Sequence, residues 1–121
     1  MDFIMLKSKI HRAVITESNL NYEGSIEVDT DILEEAGILP FEKVLVVNIT
    51  NGERLETYAI PGQAGSHAFL LNGAAAHKGK AGDLITIMAF AVFSKKEARK
   101  IKPKILIMDE KENKIIKKKK L

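Results

Sequence analysis

The sequence predicts a mainly β protein, in the form of a small closed barrel with two or three short helices. Short apolar and β-branched runs recur along the chain and are separated by glycine-containing turns, a pattern typical of small barrels. Helical patterns are few and short. At 121 residues, of which 45% are hydrophobic, the chain has the length of one domain with an aliphatic core.

Apolar runs predict most of the strands and one hairpin. The runs at 10–16, 44–49, 54–60, 69–71, 84–93 and 104–108 have the composition of strands. Asn51-Gly52 lies between the second and the third of these runs. Because this dipeptide favours a type I′ turn, with positive φ at both positions, it predicts a β-hairpin there.

Two capping patterns predict short helices. Asp31 with Glu34 has the spacing of a capping box, and Gly37 stands where that helix would end. Ser94 with Glu97 repeats the same spacing before a second short segment. We therefore expect one short helix that ends at Gly37 and another between Ser94 and Pro103.

The net charge of +3 hides two parts of opposite sign. Residues 1–94 carry 7 Lys and Arg against 12 Asp and Glu, whereas residues 95–121 carry 12 against 4. The run of lysines at the end predicts a single domain over 1–116 and a basic, disordered tail over 117–121. No aromatic residues alternate with these lysines, which disfavours nucleic acid as a partner.

Composition excludes several classes of function. The absence of Cys excludes disulfides, thiolate nucleophiles and cysteine-based zinc sites. The three His show no ligand spacing, so we expect no metal, and the glycine-rich nucleotide-binding motifs are missing. No apolar run reaches the roughly 18 residues of a membrane span. Since the first residues also lack a signal-peptide pattern, we expect a cytoplasmic protein.

Five blocks of residues, in order along the chain, carry a resemblance to a known family. They are Met5-Leu6 with 9–12, 22–25 with Asp29, 36–39, Asn51-Gly52 with Arg54 and 57–60, and 72–76. In this combination the chain resembles the pyruvoyl-dependent aspartate decarboxylases from about Met5 to about Arg99. The resemblance implies a six-stranded double-psi β-barrel, a homotetramer with sites at subunit interfaces, and L-aspartate as the substrate.

The resemblance also implies a cofactor that the chain makes from its own backbone. The Ser25 hydroxyl would attack the Gly24 carbonyl, and self-cleavage would yield a β chain of residues 1–24 and an α chain of residues 25–121. Ser25 would become a pyruvoyl group, which replaces pyridoxal phosphate and binds aspartate as a Schiff base. Loss of CO2 would give β-alanine for pantothenate and coenzyme A synthesis.

The remaining implied roles fall on residues of the same blocks. Tyr58 is implied as the proton donor, and a phenol suits that role because it keeps its proton at pH 7. Thr57 is implied as a donor to the oxyanion of self-cleavage, while Arg54 and Lys9 supply positive charge for the two substrate carboxylates in an order that stays open. The implied pocket is completed by Asn72, Gly73, Ala74 and Ala75, with His11 and Tyr22 in supporting positions.

Three points stay open on sequence grounds. In a regular strand Arg54 and Tyr58 share one face while Thr57 points to the other, so a shared site requires a twist, a bulge or a subunit interface. A basic-tailed binding module without catalysis and an uncleaved barrel that binds a small acid are alternatives. Preference for aspartate over glutamate rests on the resemblance, because one methylene contributes only about 1–3 kcal/mol in a fitted pocket.

Overall fold

The structure, a computed structural model, describes residues 1–120 as one hydrogen-bonded sheet of nine strands with three short helices. The strands are β1 (Asp2–Val14), β2 (Glu17–Asn19), β3 (Ser25–Asp29), β4 (Lys43–Asn48), β5 (Arg54–Gly62), β6 (Phe69–Asn72), β7 (Leu84–Ser94), β8 (Lys104–Met108) and β9 (Ile115–Lys120). The helices are α1 (Thr30–Ala36), a 3₁₀ helix (Gly73–Lys78) and α2 (Lys95–Ala98). Within residues 1–120 no helix has the length and apolar character needed to span a membrane.

The strands follow the order β2-β6-β3-β5-β4-β7-β1-β8-β9. Parallel pairs (β1–β8, β2–β6 and β3–β5) are mixed with antiparallel ones, among which β1–β7 is the longest. The predicted mainly β fold with two or three helices is thus confirmed. The closed six-stranded barrel is not confirmed, because nine strands share one pairing order and, among residues 1–120, no pairing joins the outer strands β2 and β9.

The core is a cluster of aliphatic side chains drawn from most of the strands. Along β4 the buried side chains Val44 and Val46 alternate with half-buried ones, as a strand with one core-facing side requires. Ile10 of β1, Phe69 of β6 and Ile87 of β7 are fully buried in the same cluster. This shared core holds the central strands β3 to β7 in fixed positions relative to one another.

The predicted β4–β5 hairpin is confirmed as an antiparallel pair, but its turn is not of type I′. Only Gly52 of the Asn51-Gly52 pair has a positive φ, at 80°. The Asn48 side chain accepts the backbone N–H groups of Thr50 and Asn51 over 2.9 and 3.2 Å. Because these bonds close the connection from β4 onward, the chain forms a longer turn than the two-residue one.

The two predicted helices are present, and one cap differs from its prediction. The N-cap of α1 is Asp29, not Asp31, because β3 runs directly into the helix and its last carboxylate accepts the Asp31 N–H over 2.8 Å. Gly37 ends α1 with φ of 72°, as predicted. The capping box of Ser94 and Glu97 at the start of α2 is confirmed.

The prediction of a disordered tail is wrong for residues 117–120, which belong to β9, while Leu121 lies outside the described residues. β9 pairs antiparallel with β8, with Leu106 opposite Lys118. Since β8 pairs with β1 on its other side, the tail satisfies backbone groups that the open edge of β8 would leave unpaired. Lys118 Nζ also lies 2.6 Å from Glu35 Oε2 of α1.

The buried carboxylate of Asp29 joins three parts of the fold. Besides capping α1, it accepts the N–H groups of Gly65 and His67 over 3.1 and 2.7 Å and so holds the loop before β6. Burial alone would raise the pKa of Asp29. The hydrogen bonds from the backbone N–H groups of His67, Asp31 and Gly65 together outweigh this effect, so the pKa lies below its ordinary value. Folding and ionisation of this carboxyl group therefore support each other.

We expect Asp29→Ala to lower the free energy of unfolding by about 2–4 kcal/mol at pH 7, because a helix cap and two loop hydrogen bonds are lost. The pKa is depressed in the folded state, so this contribution is present above the unfolded pKa of about 4 and is lost as pH falls through the folded pKa. Thermal melting from pH 7 towards pH 2 should show the difference from wild type shrinking. Asp31→Asn, at an exposed carboxylate, serves as the control. If the stability difference between Asp29→Ala and wild type did not change with pH, the ionised form of Asp29 would not be what stabilises the fold.

Candidate active site

Gly24 and Ser25 lie where an exposed loop enters β3. Gly24 is exposed, whereas Ser25 is 1% exposed and pairs with Asn72 of β6. The Ser25 hydroxyl donates a hydrogen bond to the carbonyl oxygen of Glu23 over 3.3 Å. The hydroxyl that the sequence singles out as a nucleophile is therefore held next to the Gly24 peptide and is shielded from bulk water.

The 3₁₀ helix begins directly against the backbone of Gly24. Gly73, its first residue, has φ of 63°, and a Cβ atom at Gly73 would lie 2.6 Å from both Gly24 N and Tyr22 O. Any side chain would collide with backbone atoms at that distance, so the approach requires glycine. Of the predicted pocket residues, Gly73 and Ala74 are thereby placed beside Gly24.

The Asn72 side chain brings an unsatisfied acceptor to the same place. Asn72 is 2% exposed, and its Oδ1 has no hydrogen-bond partner among residues 1–120. A buried amide oxygen without a partner costs about 1–3 kcal/mol, so its presence calls for an explanation. Since Asn72 pairs with Ser25, this oxygen suits a donor group on a molecule bound beside Ser25.

Thr57 and Tyr58 directly precede the part of β5 that pairs in parallel with β3. The first pair of that ladder joins Ile26 to Ala59, so Tyr58 and Thr57 lie one and two residues before it. The β4–β5 pairing shows no register shift between Arg54 and Tyr58, so no bulge redirects these side chains. Of the three ways in which these residues could share a site, a bulge is therefore excluded.

The half-buried ring of Tyr58 is held by a neighbouring turn. It packs against Phe41 with ring centroids 6.3 Å apart and an angle of 37° between the ring planes. Phe41 has a positive φ of 69°, and its N–H donates to the Ala59 carbonyl over 2.7 Å. The turn before β4 thus contacts both the phenol ring and the backbone of the next residue of β5.

Two of the predicted residues lie on a strand that does not pair with β3. Lys9 and His11 lie on β1, which is separated from β3 in the sheet by β7, β4 and β5. Arg54 is the exposed first residue of β5, the strand whose later residues pair with β3. No ion pair within residues 1–120 involves Arg54 or Lys9, so both cations are available to an anionic ligand.

His11 lies in an irregular part of β1. The pairing of β1 with β7 shifts register within residues 10–13, and Arg12 has a positive φ of 65°. His11 Nδ1 is 3.5 Å from the Thr86 hydroxyl. Burial, followed by the positive charges of Lys9 and Arg12, lowers the pKa of His11 below its ordinary value, so the ring is mostly neutral at pH 7.

Comparison with known proteins assigns the family. The sequence profile described as aspartate decarboxylase matches residues 1–116. The chain belongs to the aspartate decarboxylase family. Among its curated relatives, the aspartate 1-decarboxylase of Carboxydothermus hydrogenoformans is 55% identical over 97% of this chain and 91% of its own. The aspartate 1-decarboxylases of Thermoanaerobacter pseudethanolicus and Listeria welshimeri are 51% and 53% identical, over 91% and 88% of this chain and 94% and 84% of theirs.

Sequence analysis missed two buried polar residues next to the family's site segment. Asn48 ends β4 and Asp83 precedes β7, and both contact the chain just after the 3₁₀ helix. In the sequence Asn48, two positions before Thr50, and Asp83, which follows a glycine, look like ordinary turn residues. The one signal of a structural role is that Asn48 interrupts the apolar run at 44–49. In the part of the chain that the structure describes, no three His, Asp or Glu side chains form a group suited to a metal ion.

We expect Gly73→Ala to be far more damaging than Gly52→Ala, although both glycines have positive φ. A Cβ atom at Gly52 meets nothing within 4 Å, so that variant pays only the left-handed penalty of about 1–2 kcal/mol. The Gly73 variant must in addition push the 3₁₀ helix away from Gly24. Thermal melting of the two variants measures the difference, and equal melting temperatures would show that the close approach is not enforced.

Proposed function

We propose that this protein decarboxylates L-aspartate to β-alanine and CO2, using a pyruvoyl group that it makes by self-cleavage between Gly24 and Ser25. The observation that carries the proposal is the seating of Gly73 on the backbone of Gly24, next to the buried Ser25 hydroxyl. Family membership and the activity named for the relatives support it.

Self-cleavage needs only the chain and one water molecule. Ser25 Oγ adds to the Gly24 carbonyl carbon, the C–N bond breaks, and the acyl group passes to oxygen as an ester. Elimination then breaks the Cβ–O bond, which leaves Gly24 with a free carboxylate and residue 25 as dehydroalanine. Addition of water to the latter releases ammonia and leaves the pyruvoyl ketone. Thr57, two residues before the β3–β5 ladder begins, would donate to the oxyanion of the first step.

The surroundings of Ser25 fit a pyruvoyl group and an amino acid bound to it. The unpartnered Asn72 Oδ1 would accept a hydrogen bond from the substrate's amino group, and the glycine-alanine backbone of 73–75 permits close approach. The ketone supplies the electrophile for that amine and the sink for the electrons of the lost carboxylate. The chain must then bind the dianionic substrate and deliver one proton.

Arg54, Lys9 and Tyr58 are suited to these tasks. Arg54 can hold a carboxylate through two parallel hydrogen bonds, and Lys9 adds a second positive charge. Tyr58, whose ring packs against Phe41 just before the part of β5 that pairs with β3, would donate the proton that replaces CO2. Binding of the second substrate carboxylate by one of these cations would distinguish aspartate from neutral amino acids.

The finer architecture in this proposal is a double-psi barrel that assembles as a homotetramer, with Lys9 and His11 entering the site of a neighbouring subunit. Their separation from β3 by three strands supports an intersubunit site. Ile4, Phe90 and Val92 of β1 and β7 are 75%, 41% and 65% exposed and line a groove of about 360 Å³. Such an apolar patch, on the strand that carries Lys9, favours burial against another copy.

We expect intact-mass measurement under denaturing conditions to find two chains, residues 1–24 and 25–121. The larger one should be lighter by one ammonia than a chain that starts with Ser25, because the amino group leaves when the ketone forms. Ser25→Ala, which lacks the nucleophile, should remain one uncut chain. An uncut wild-type chain, or fragments that retain the ammonia, would contradict the proposed cofactor.

We expect hybrids of Lys9→Ala and Ser25→Ala chains to be more active than either variant alone. If Lys9 serves the neighbour's site, random mixing of the two chains rebuilds about a quarter of the sites. Co-expressed chains with different affinity tags allow the hybrids to be isolated and their β-alanine production measured. Variants purified separately and combined without subunit exchange are the control. If the hybrids are no more active than the Lys9→Ala chains that they contain, Lys9 acts in the site of its own chain.

A further inference from the structure

We propose that Asn48 is a positioning residue, which holds the 3₁₀ helix against the Gly24-Ser25 peptide and sets the distance between that helix and Arg54. The inference rests on the proposed function, because it concerns the same site. Asn48 does not touch the reacting atoms. It acts through the backbone of the segment that follows the 3₁₀ helix and through the turn that precedes β5.

Asn48 uses the full hydrogen-bonding capacity of its amide. Its Nδ2 donates to the Lys78 carbonyl and to Asp83 Oδ2, each over 3.0 Å. Its Oδ1 accepts from the backbone N–H groups of Thr50 and Asn51. An amide has two N–H donors and two acceptor lone pairs, so no capacity is left over. At 1% exposure, these bonds have no competition from water.

The end of the 3₁₀ helix is tied down by side chains of other segments. The Lys78 carbonyl also accepts from Asn51 Nδ2 over 3.0 Å, and the Gly79 carbonyl accepts from the Ser18 hydroxyl over 2.9 Å. A Cβ atom at Gly79 would lie 2.9 Å from Asn48 Nδ2, so the backbone is packed tightly on this amide. Asp83, 4% exposed, completes the arrangement by accepting the Lys80 N–H over 3.1 Å.

These bonds connect two segments of the proposed site that are not paired with each other. One segment is the 3₁₀ helix, six residues long, whose first residue, Gly73, lies on Gly24. The other is the β4–β5 turn, which leads directly to Arg54. Because the helix is short and both its ends are packed, a shift at Lys78 moves Gly73 as well. Asn48 thus determines where the substrate-binding backbone stands relative to the cation.

The test compares Asn48→Asp with the double variant Asn48→Asp/Asp83→Asn. The single variant keeps the shape of the side chain, removes both N–H donors and places a carboxylate beside Asp83. The double variant restores a donor–acceptor pair between the two side chains but still leaves the Lys78 carbonyl without the Asn48 donor. It also takes the acceptor from the Lys80 N–H, because the oxygen that accepts it in the wild type, Asp83 Oδ2, becomes an amide nitrogen. Gln63→Ala, at an exposed amide, is the matched control. Each protein is assayed for melting temperature, rate of self-cleavage by mass, and kcat and KM for aspartate.

We expect Asn48→Asp to slow self-cleavage at least about tenfold and, in its processed fraction, to raise KM about tenfold with kcat changed less than about threefold. The double variant should recover part of the lost melting temperature but neither the cleavage rate nor KM. Recovery of all three together would reduce Asn48 to a stabilising residue, and wild-type values in the single variant would overturn the proposal.

A second variant keeps the test decisive if Asn48→Asp does not fold. Asn51→Ala removes the exposed bond to the Lys78 carbonyl and the bond that Asn51 Oδ1 accepts from the Glu53 N–H. It should raise KM about threefold with little change in melting temperature, and an unchanged KM would then count against the proposal. Failure of the proposed function is recognised separately, because a wild-type chain that neither self-cleaves nor forms β-alanine would show it before any variant is compared.

Discussion

The close contact between the Gly73 and Gly24 backbones is the constraint on which the proposed site depends. Pairing of β3 with β6 sets Ser25 opposite Asn72, and the next residue turns with a positive φ to lie where no Cβ fits. The contact holds the start of the 3₁₀ helix against the exposed loop that precedes Ser25. The proposed nucleophile, the unsatisfied amide and the proposed substrate-binding backbone lie together because β3 begins where β6 ends.

The strand β5, which carries three residues of the proposed site, changes partners along its length. Residues Arg54–Tyr58 pair with β4, whereas Ala59–Gly62 pair with β3. Thr57 and Tyr58 lie at the point of change, and the pairing with β4 shows no bulge there. Lys9 lies on β1, which three strands separate from β3 in the sheet, so the proposed function assigns it to the site of a neighbouring subunit.

Buried polar residues hold the connecting loops that the aliphatic core does not reach. Asp29 ties α1 and the loop before β6 to the end of β3, and Asn48 ties the 3₁₀ helix to the β4–β5 turn. In both cases a single side chain satisfies several backbone groups that burial would otherwise leave unpaired. Loops anchored in this way can be precise enough for chemistry while remaining outside regular secondary structure.

The sequence alone determined the strand-rich class, the hairpin at Asn51-Gly52, the Gly37 helix end and the family, because turn residues, caps and short blocks are local signals. Tertiary structure decided what depends on distant partners. Asp29 rather than Asp31 caps α1 because β3 leads into the helix, and lysines 117–120 are ordered because β8 offers an open edge. The bonds of Asn48 to residues thirty or more positions away, like the seat of Gly73 on Gly24, appear only once the sheet has brought those segments together.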